Sequence, residues 1–270
     1  MIFNFFLLLI FSNFFFCECG NSFTLIGNFT VENAAFFNWS NHSRTLFISQ
    51  FTANPLESGS IAYVDQLPPK LNKDIHSIKT KTLKTANSLI WPNEMTNYPK
   101  EYLKSGKLGF VLGDGFIPPG KSTGSITSLT FDATIQDLVV KPLTKKKDDW
   151  FYHKARFIDV DCDGELDIIT ARAFSSVFSS QKKGELIWLK GPSFEKEFHI
   201  VDGPDVSFDL LKLNGEKAPF VVYAAEFFAE KLSALVVDCG GVVKQSTTLD
   251  ASIGRVYDVR VEKLIAKSKA

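Results

Sequence analysis

The stretch that decides the fold of this 270-residue chain is Phe157-Ile-Asp-Val-Asp-Cys-Asp-Gly-Glu-Leu-Asp-Ile-Ile-Thr170. It carries the pattern Asp-x-Asp-x-Asp-Gly-x-x-Asp, with four aspartates within nine residues. Alternating carboxylates on a tight loop supply the oxygen ligands that a hard cation such as Ca²⁺ requires, and Gly164 allows the sharp turn after the third of them. Without a cation these carboxylates would repel one another, so the pattern favours a metal site over a solvated acidic turn.

The residues on both sides of this acidic loop predict strands. Residues 155–158 and 168–171 are rich in apolar and β-branched side chains, which are typical of strands. Thr170 occupies the twelfth loop position, where an EF-hand requires a bidentate glutamate. The sequence therefore predicts an acidic loop that joins two β-strands.

Residues 157–170 resemble the FG-GAP/VCBS repeat of integrin α-subunit propellers, in which an acidic loop links two strands of a blade and binds Ca²⁺. The resemblance implies an all-β protein, a β-propeller of four-stranded blades. Carried over residue by residue, it implies that the Ca²⁺ ligands are Asp159, Asp161, Asp163, the backbone carbonyl of Glu165, and Asp167.

A degenerate copy of the pattern follows 51 residues later. This shift overlays residues 208–215 on residues 157–164 and keeps Phe and Gly at the two ends, but Lys212 replaces Asp161. A repeat of about 50 residues matches one propeller blade. Residues 256–264 resemble the first strand of a third repeat, and the sequence stops soon afterwards. We therefore expect a propeller that is incomplete or truncated at its C-terminus.

Short β-branched and aromatic runs, separated by Gly, Pro, Ser and Asn, continue through the rest of the chain. These predicted strands are residues 44–51, 59–65, 108–112, 124–131, 184–189 and 220–224. Residues 226–235 fit either a helical turn or a strand. We expect one propeller-like domain over residues 20–270, with about five blades, the last one cut short.

Residues 1–19 predict a secretory signal peptide. Residues 2–16 are uncharged and almost wholly apolar, shorter than the ~20 residues of a membrane-spanning helix. Cys17 and Cys19 suit the positions before a cleavage site; an uncleaved N-terminal anchor is the alternative. The expected N-glycosylation sites are Asn28, Asn38 and Asn41. We expect a secreted glycoprotein with no transmembrane span in the mature chain.

Charge and cysteine content narrow the function classes. Thirty Lys and Arg balance thirty Asp and Glu, which argues against a nucleic-acid partner. Cleavage after residue 19 leaves Cys162 and Cys239, whose spacing does not decide whether they pair.

Catalytic patterns are weak, and we predict no catalytic residue. The histidines show no metal-type spacing, and His153, flanked by aromatic residues, is expected to be a packed structural residue. The sequence favours a non-catalytic adhesion or binding module whose partner is an extracellular protein or glycan. The alternative is a metal-dependent propeller hydrolase of the lactonase kind, for which the candidate second-site residues are Asn93, Glu94 and Asp114.

Overall fold

The computed structural model describes the backbone of three N-terminal strands and, after them, most of the chain with its side chains. The described residues are 13–19, 22–29 and 34–40 (backbone only), and 45–51, 54, 56–64, 80–83, 89–103, 108–117, 121–132, 137–176 and 181–261, apart from the side chains of residues 132 and 214. These ranges contain eighteen strands and a 3₁₀ turn, Lys100–Tyr102, and no α-helix. None of the described segments is a helix that could cross a membrane.

Two N-terminal strands, β1 (Asn13–Cys19) and β2 (Ser22–Phe29), form an antiparallel pair. The predicted signal peptide thus overlaps β1, and its residues 1–12 lie outside the described residues. The first blade follows, and its strands are β3 (Ala34–Ser40), β4 (Thr45–Phe51), β5 (Ser60–Val64) and β6 (Lys81–Leu83).

Three further blades have the same plan. The second consists of β7 (Pro92–Asn97), β8 (Leu108–Asp114), β9 (Ile126–Asp132) and β10 (Asp137–Pro142). The third consists of β11 (Trp150–Ile158), β12 (Asp167–Ser175), β13 (Lys182–Leu189) and β14 (Glu197–Asp202). The fourth consists of β15 (Ser207–Asn214), β16 (Lys217–Glu226), β17 (Lys231–Asp238) and β18 (Val242–Asp250). Each is an antiparallel meander whose spatial order follows the chain.

The first strand of each blade lies innermost. Strand β3 contacts β7, β7 contacts β11, and β11 contacts β15. Successive four-stranded meanders arranged around a common axis make a β-propeller. The predicted fold class is confirmed.

Apolar side chains fill the spaces between neighbouring blades. Because successive residues of a strand point to opposite faces, one strand serves two cores. Ile168 of β12 packs in the core between the second and third blades, and Ile169 packs in the core between the third and fourth. Phe47 and Phe110 meet between the first two blades, with ring centroids 4.6 Å apart.

The 51-residue repeat matches the third and fourth blades at its glycines, since Gly164 and Gly215 each lie between the first two strands of a blade, but Phe157 ends one strand and Phe208 begins another. Residues 157–164 end β11 and enter the acidic loop, and residues 208–215 cover β15 and the short turn after it. The ambiguous segment, residues 226–235, contains a turn that leads into β17.

The predicted first strand of a third repeat is not formed over residues 256–261, the part of it that the structure describes. This segment lies beside β15, where the Val261 N–H donates to Asp209 Oδ2 at 2.9 Å and Ser207 donates to Asp258. Polar side chains, and no backbone ladder, hold it there.

Candidate metal centre

The acidic loop, residues 159–166, joins β11 to β12 and lies against the fourth blade. The Asp159 N–H donates to the Glu216 carbonyl at 2.8 Å, and the Gly240 N–H donates to the Val160 carbonyl at 2.9 Å. Both partners lie in turns of the fourth blade. The loop is therefore the joint between two blades, in addition to connecting two strands of one.

A disulfide crosses the same joint. Cys162, inside the loop, is bonded to Cys239, in the turn between β17 and β18, with a Cα–Cα distance of 5.5 Å. Cys162 has the left-handed backbone conformation, with φ 66°, and Gly164 has φ 97°. The pairing that the sequence left open is thus present, and Gly164 makes the turn expected of it.

Three of the predicted carboxylates converge. Asp159, Asp161 and Asp167 each offer an oxygen, and these three atoms lie within 4.8 Å of one another. Asp159 and Asp167 are buried, and the Asp161 side chain is 21% exposed. A cluster of carboxylate oxygens of this kind suits a hard cation.

Backbone N–H groups orient the two buried carboxylates. Asp159 accepts hydrogen bonds from the amides of residues 163 and 164, at 3.1 and 3.0 Å. Asp167 accepts from Val160 and Gly191, both at 2.8 Å. Burial raises the pKa of Asp167, while these two N–H donors oppose the rise by stabilising the ionised form.

Asp163 lies further out than these three aspartates. Asp163, whose side chain is 40% exposed, accepts the Glu165 N–H at 2.9 Å. The Glu165 carboxylate lies 3.2 Å from the hydroxyl of Tyr102. Ligation by the Glu165 carbonyl stays a prediction.

Lys190 is the cation that the structure places in this cluster. Its ammonium donates to Asp161 Oδ2 and, at 2.6 Å, to Asp163 Oδ2. These contacts lower the pKa of Asp163 and raise that of Lys190. The lysine follows the last residue of β13, so the third strand of the blade supplies it.

The residues present fit a bound Ca²⁺. Asp161 Oδ1 is buried and has no hydrogen-bond donor, although Lys190 satisfies the other oxygen of this carboxylate. Four aspartates face one ammonium, so negative charge remains for a divalent ion to offset.

Two contributors to the site have no local signal in the sequence. Lys190 lies 29 residues from Asp161. Tyr102, from the second blade, accepts the Leu166 N–H at 2.7 Å. The second blade is thus tied to the loop as well as the third and fourth. Pairing of β13 with β12 brings Lys190 to the loop, and packing of the second blade against the third brings Tyr102.

The candidate second-site residues do not form a metal site. Asn93 donates from Nδ2 to the carbonyls of Gly115 and Tyr152, both at 2.8 Å. Asp114 accepts backbone N–H groups of Ile90, Trp91 and Gly115. These two side chains are engaged in holding backbone.

Glu94 lies in a buried ionic network along the innermost strands. Arg156 donates to it at 2.6 Å, Arg260 donates from two nitrogens at 3.1 and 3.2 Å, and Lys154 Nζ lies 3.7 Å away. Burial raises the pKa of Glu94, but the three cations outweigh burial and hold it below its usual value. Three cations around one carboxylate would repel a metal ion.

His153 is packed, as expected from its aromatic neighbours. It is buried, and its Nε2 lies 2.9 Å from the Tyr257 hydroxyl. Burial lowers the pKa of His153 to about 4, so the imidazole is neutral at pH 7.

A second acidic group, on β13 and β14, is more exposed. Glu185, His199 and Asp202 have ligand atoms within 4.8 Å of one another. Asp202 is largely in solvent, and Arg172 already pairs with Glu185. This group has the character of surface ion pairs.

No family model and no curated protein sequence matches this chain. Among solved structures it is similar to a luciferin-regenerating enzyme, with a TM-score of 0.50 and 11% identity over 79% of this chain and 59% of that one. An α-L-arabinanase of Penicillium chrysogenum gives 0.47 and 12% over 80% and 66%, respectively. An α-L-arabinofuranosidase of Fusarium graminearum gives 0.46 and 10% over 88% and 72%. This chain spans 59% of the length of the luciferin-regenerating enzyme. At such identities the similarity concerns fold alone, and that fold is the β-propeller.

Proposed function

We propose that this protein is a secreted, calcium-binding β-propeller of the FG-GAP type that acts as a non-catalytic adhesion or protein-binding module. The observation that carries the proposal is the convergence of Asp159, Asp161 and Asp167 at the joint between two blades. Its partner would be an extracellular protein or glycan.

The three converging aspartates would hold the ion, with Asp163 and the Glu165 carbonyl completing the oxygen ligands. Bound Ca²⁺ supplies positive charge that offsets the carboxylates. The chain's own residues then keep the loop in place, because Asp159 exchanges backbone hydrogen bonds with the fourth blade on both sides, through Glu216 and Ala218. A stiffened joint holds neighbouring blades in a fixed relation, which a binding surface built from several blades requires.

Secretion is supported by three features. The apolar N-terminal segment and the sequons are typical of the secretory pathway. The disulfide between Cys162 and Cys239 is of the kind that persists in oxidising compartments.

The non-catalytic part of the proposal is supported by the innermost strands. Glu94, Lys154, Arg156, Asp209, Asp258 and Arg260 provide three charges of each sign and pair among themselves. Acid–base catalysis needs a group of matched pKa within reach of a substrate, whereas this network is mutually neutralised.

Calcium titration of the full-length chain tests the proposal. Asp161→Asn keeps the side-chain shape and removes one ligand charge, so it is expected to weaken Ca²⁺ binding by more than about tenfold. Calcium should raise the melting temperature of the wild type, and much less that of the variant. Asp148→Asn, at an exposed aspartate bonded to Thr123, is the matched control and should bind like the wild type. Absence of calcium binding by the wild type would refute the proposed cation site.

The hydrolase alternative has a separate test. A panel of lactones and phosphotriesters should show no turnover above buffer with wild-type protein in calcium. Turnover that survives Asp161→Asn would contradict the non-catalytic proposal.

A further inference from the structure

We infer that Lys190 is a tethered competitor of the divalent cation: its ammonium holds the acidic loop together without metal, and Ca²⁺ must displace it to bind. This inference rests on the proposed function, because it concerns the affinity of the same site. It assigns to Lys190 the role of a residue that sets the calcium affinity. Lys190 is not part of the acidic sequence pattern.

The first support is the position of the ammonium. It donates to one oxygen of Asp161 and one of Asp163, two of the four aspartates that are predicted ligands. A cation that takes Asp161 as a ligand would meet the ammonium at the same carboxylate, and two positive charges this close repel each other. Metal and lysine therefore compete for Asp161 and Asp163, two of the proposed ligands.

The second support is that the lysine backbone is built into the site. The next residue, Gly191, donates its N–H to Asp167 Oδ1 at 2.8 Å. A Cβ at position 191 would lie 2.1 Å from the Leu166 carbonyl oxygen, so glycine lets this segment pack directly on the loop. The Lys190 carbonyl accepts the Phe194 N–H at 2.8 Å. The side chain therefore starts from an anchored position beside the carboxylates.

The third support is that the ammonium has a route out. The Lys190 side chain is 32% exposed, so it can rotate into solvent without unfolding the loop. Its partner oxygen on Asp163 lies on the exposed side of the cluster. The lysine does not satisfy the whole cluster either, because Asp161 Oδ1 remains without a donor. A divalent ion can thus replace the ammonium and also provide a partner for Asp161 Oδ1.

If the two cations compete, Lys190→Met should change two properties in opposite directions: calcium affinity and the melting temperature in EDTA. Removal of the ammonium should strengthen Ca²⁺ binding, by roughly tenfold, since two partly exposed ion pairs no longer have to be broken. In EDTA the same variant should melt at a lower temperature than the wild type, because the aspartates then lack their resident cation. A lysine with a merely structural role would instead weaken both properties when removed.

The experiment measures CaCl₂ binding by calorimetry and melting temperature in EDTA for the full-length chain and three variants. Lys190→Arg keeps the positive charge and should resemble the wild type. Lys183→Met, on the same strand but away from the loop, is the control and should leave both readouts unchanged. Binding by Lys190→Met alone, with none by the wild type, would support the competition and overturn the proposed function of the native chain.

Two results would overturn the inference. A calcium affinity of Lys190→Met that is equal to or weaker than that of the wild type would refute competition and leave the proposed cation site standing. Absence of binding by both proteins would refute the cation site itself, and the inference with it.

Discussion

Cys162 of the third blade is disulfide-bonded to Cys239 of the fourth, across the joint where the acidic loop packs. The loop thus has a covalent link, backbone hydrogen bonds and its carboxylate cluster within a few residues of one another. Because the residues proposed to bind the cation also pack the third blade against the fourth, the two properties are expected to be coupled, and coupling of this kind is reciprocal.

Removal of the disulfide tests that coupling. The Cys162→Ser/Cys239→Ser double variant should lose about 2–4 kcal/mol of unfolding free energy, since the bond closes a loop of 77 residues in the unfolded chain. Its Ca²⁺ affinity should also fall, because the loop is less restrained. Urea unfolding and calorimetry measure the two effects. Calcium affinity equal to that of the wild type would show that the joint and the cation site are independent.

His153 should make the protein less stable as the pH falls. Its pKa is about 4 in the folded protein and 6.5 as an ordinary imidazole, so between these values only the unfolded chain takes up the proton. The stabilisation lost over this range is about 3 kcal/mol. His153→Phe removes this loss. Urea unfolding at pH 4, 5, 6 and 7 should show it as a difference in slope from the wild type, and parallel curves would contradict the buried neutral imidazole.

Asp205 should change the stability in the opposite direction to His153, over nearly the same pH range. It accepts the N–H groups of Phe227 and Phe228, but burial raises its pKa to about 6, from 3.8. The folded protein therefore keeps a proton that the unfolded chain releases, and stability falls by about 3 kcal/mol as the pH rises from 4 to 6. Asp205→Asn should remove this fall. In the wild type the pH dependences of stability that arise from His153 and Asp205 offset each other. Each single variant should therefore show the pH dependence caused by the group that remains.

Substitutions of Glu94 and Arg260 should have coupled effects on the free energy of unfolding. Neither substitution should change the calcium affinity. Glu94→Gln takes the Glu94 carboxylate away from the buried Lys154 and the partly buried Arg156, at a cost of about 3 kcal/mol. Arg260→Gln should cost less, because that side chain is partly exposed. The double variant should lose about 1 kcal/mol less than the sum. Chemical denaturation gives these values, and a changed calcium affinity in either single variant would contradict the separation of the network from the metal centre.

The expected export can be tested on the chain produced in eukaryotic cells. The protein should reach the medium with an N-terminus near residue 20, and glycosidase treatment should lower its apparent mass. Substituting Asn28, Asn38 and Asn41 by Gln, singly and together, shows which sequons carry glycan. Retention of residues 1–19 would favour the N-terminal anchor instead.

Local patterns predicted the strands, and the resemblance of residues 157–170 to a repeat family predicted the blade architecture. β-Branched and aromatic runs between turn residues predict the strands. The turns at Gly164 and Gly215 recur at the spacing of a blade. The convergence of Asp159, Asp161 and Asp167 also has a local origin, because all three lie within nine residues on one tight loop. Residues 256–261 show the limit of this approach: their pattern is that of a strand, but a strand forms only where a ladder partner is present.

By itself, the sequence determined that the chain forms antiparallel blades and that one loop concentrates carboxylates, since both depend on neighbours along the chain. Only the tertiary structure decided which distant residues share that loop: the ammonium of Lys190, the hydroxyl of Tyr102, and the pairing of Cys162 with Cys239. Contacts between strands and blades depend on how sheets pack, and no short-range pattern encodes them. The acidic loop is therefore predictable as a motif, whereas its resident lysine and its role as a joint follow from the fold.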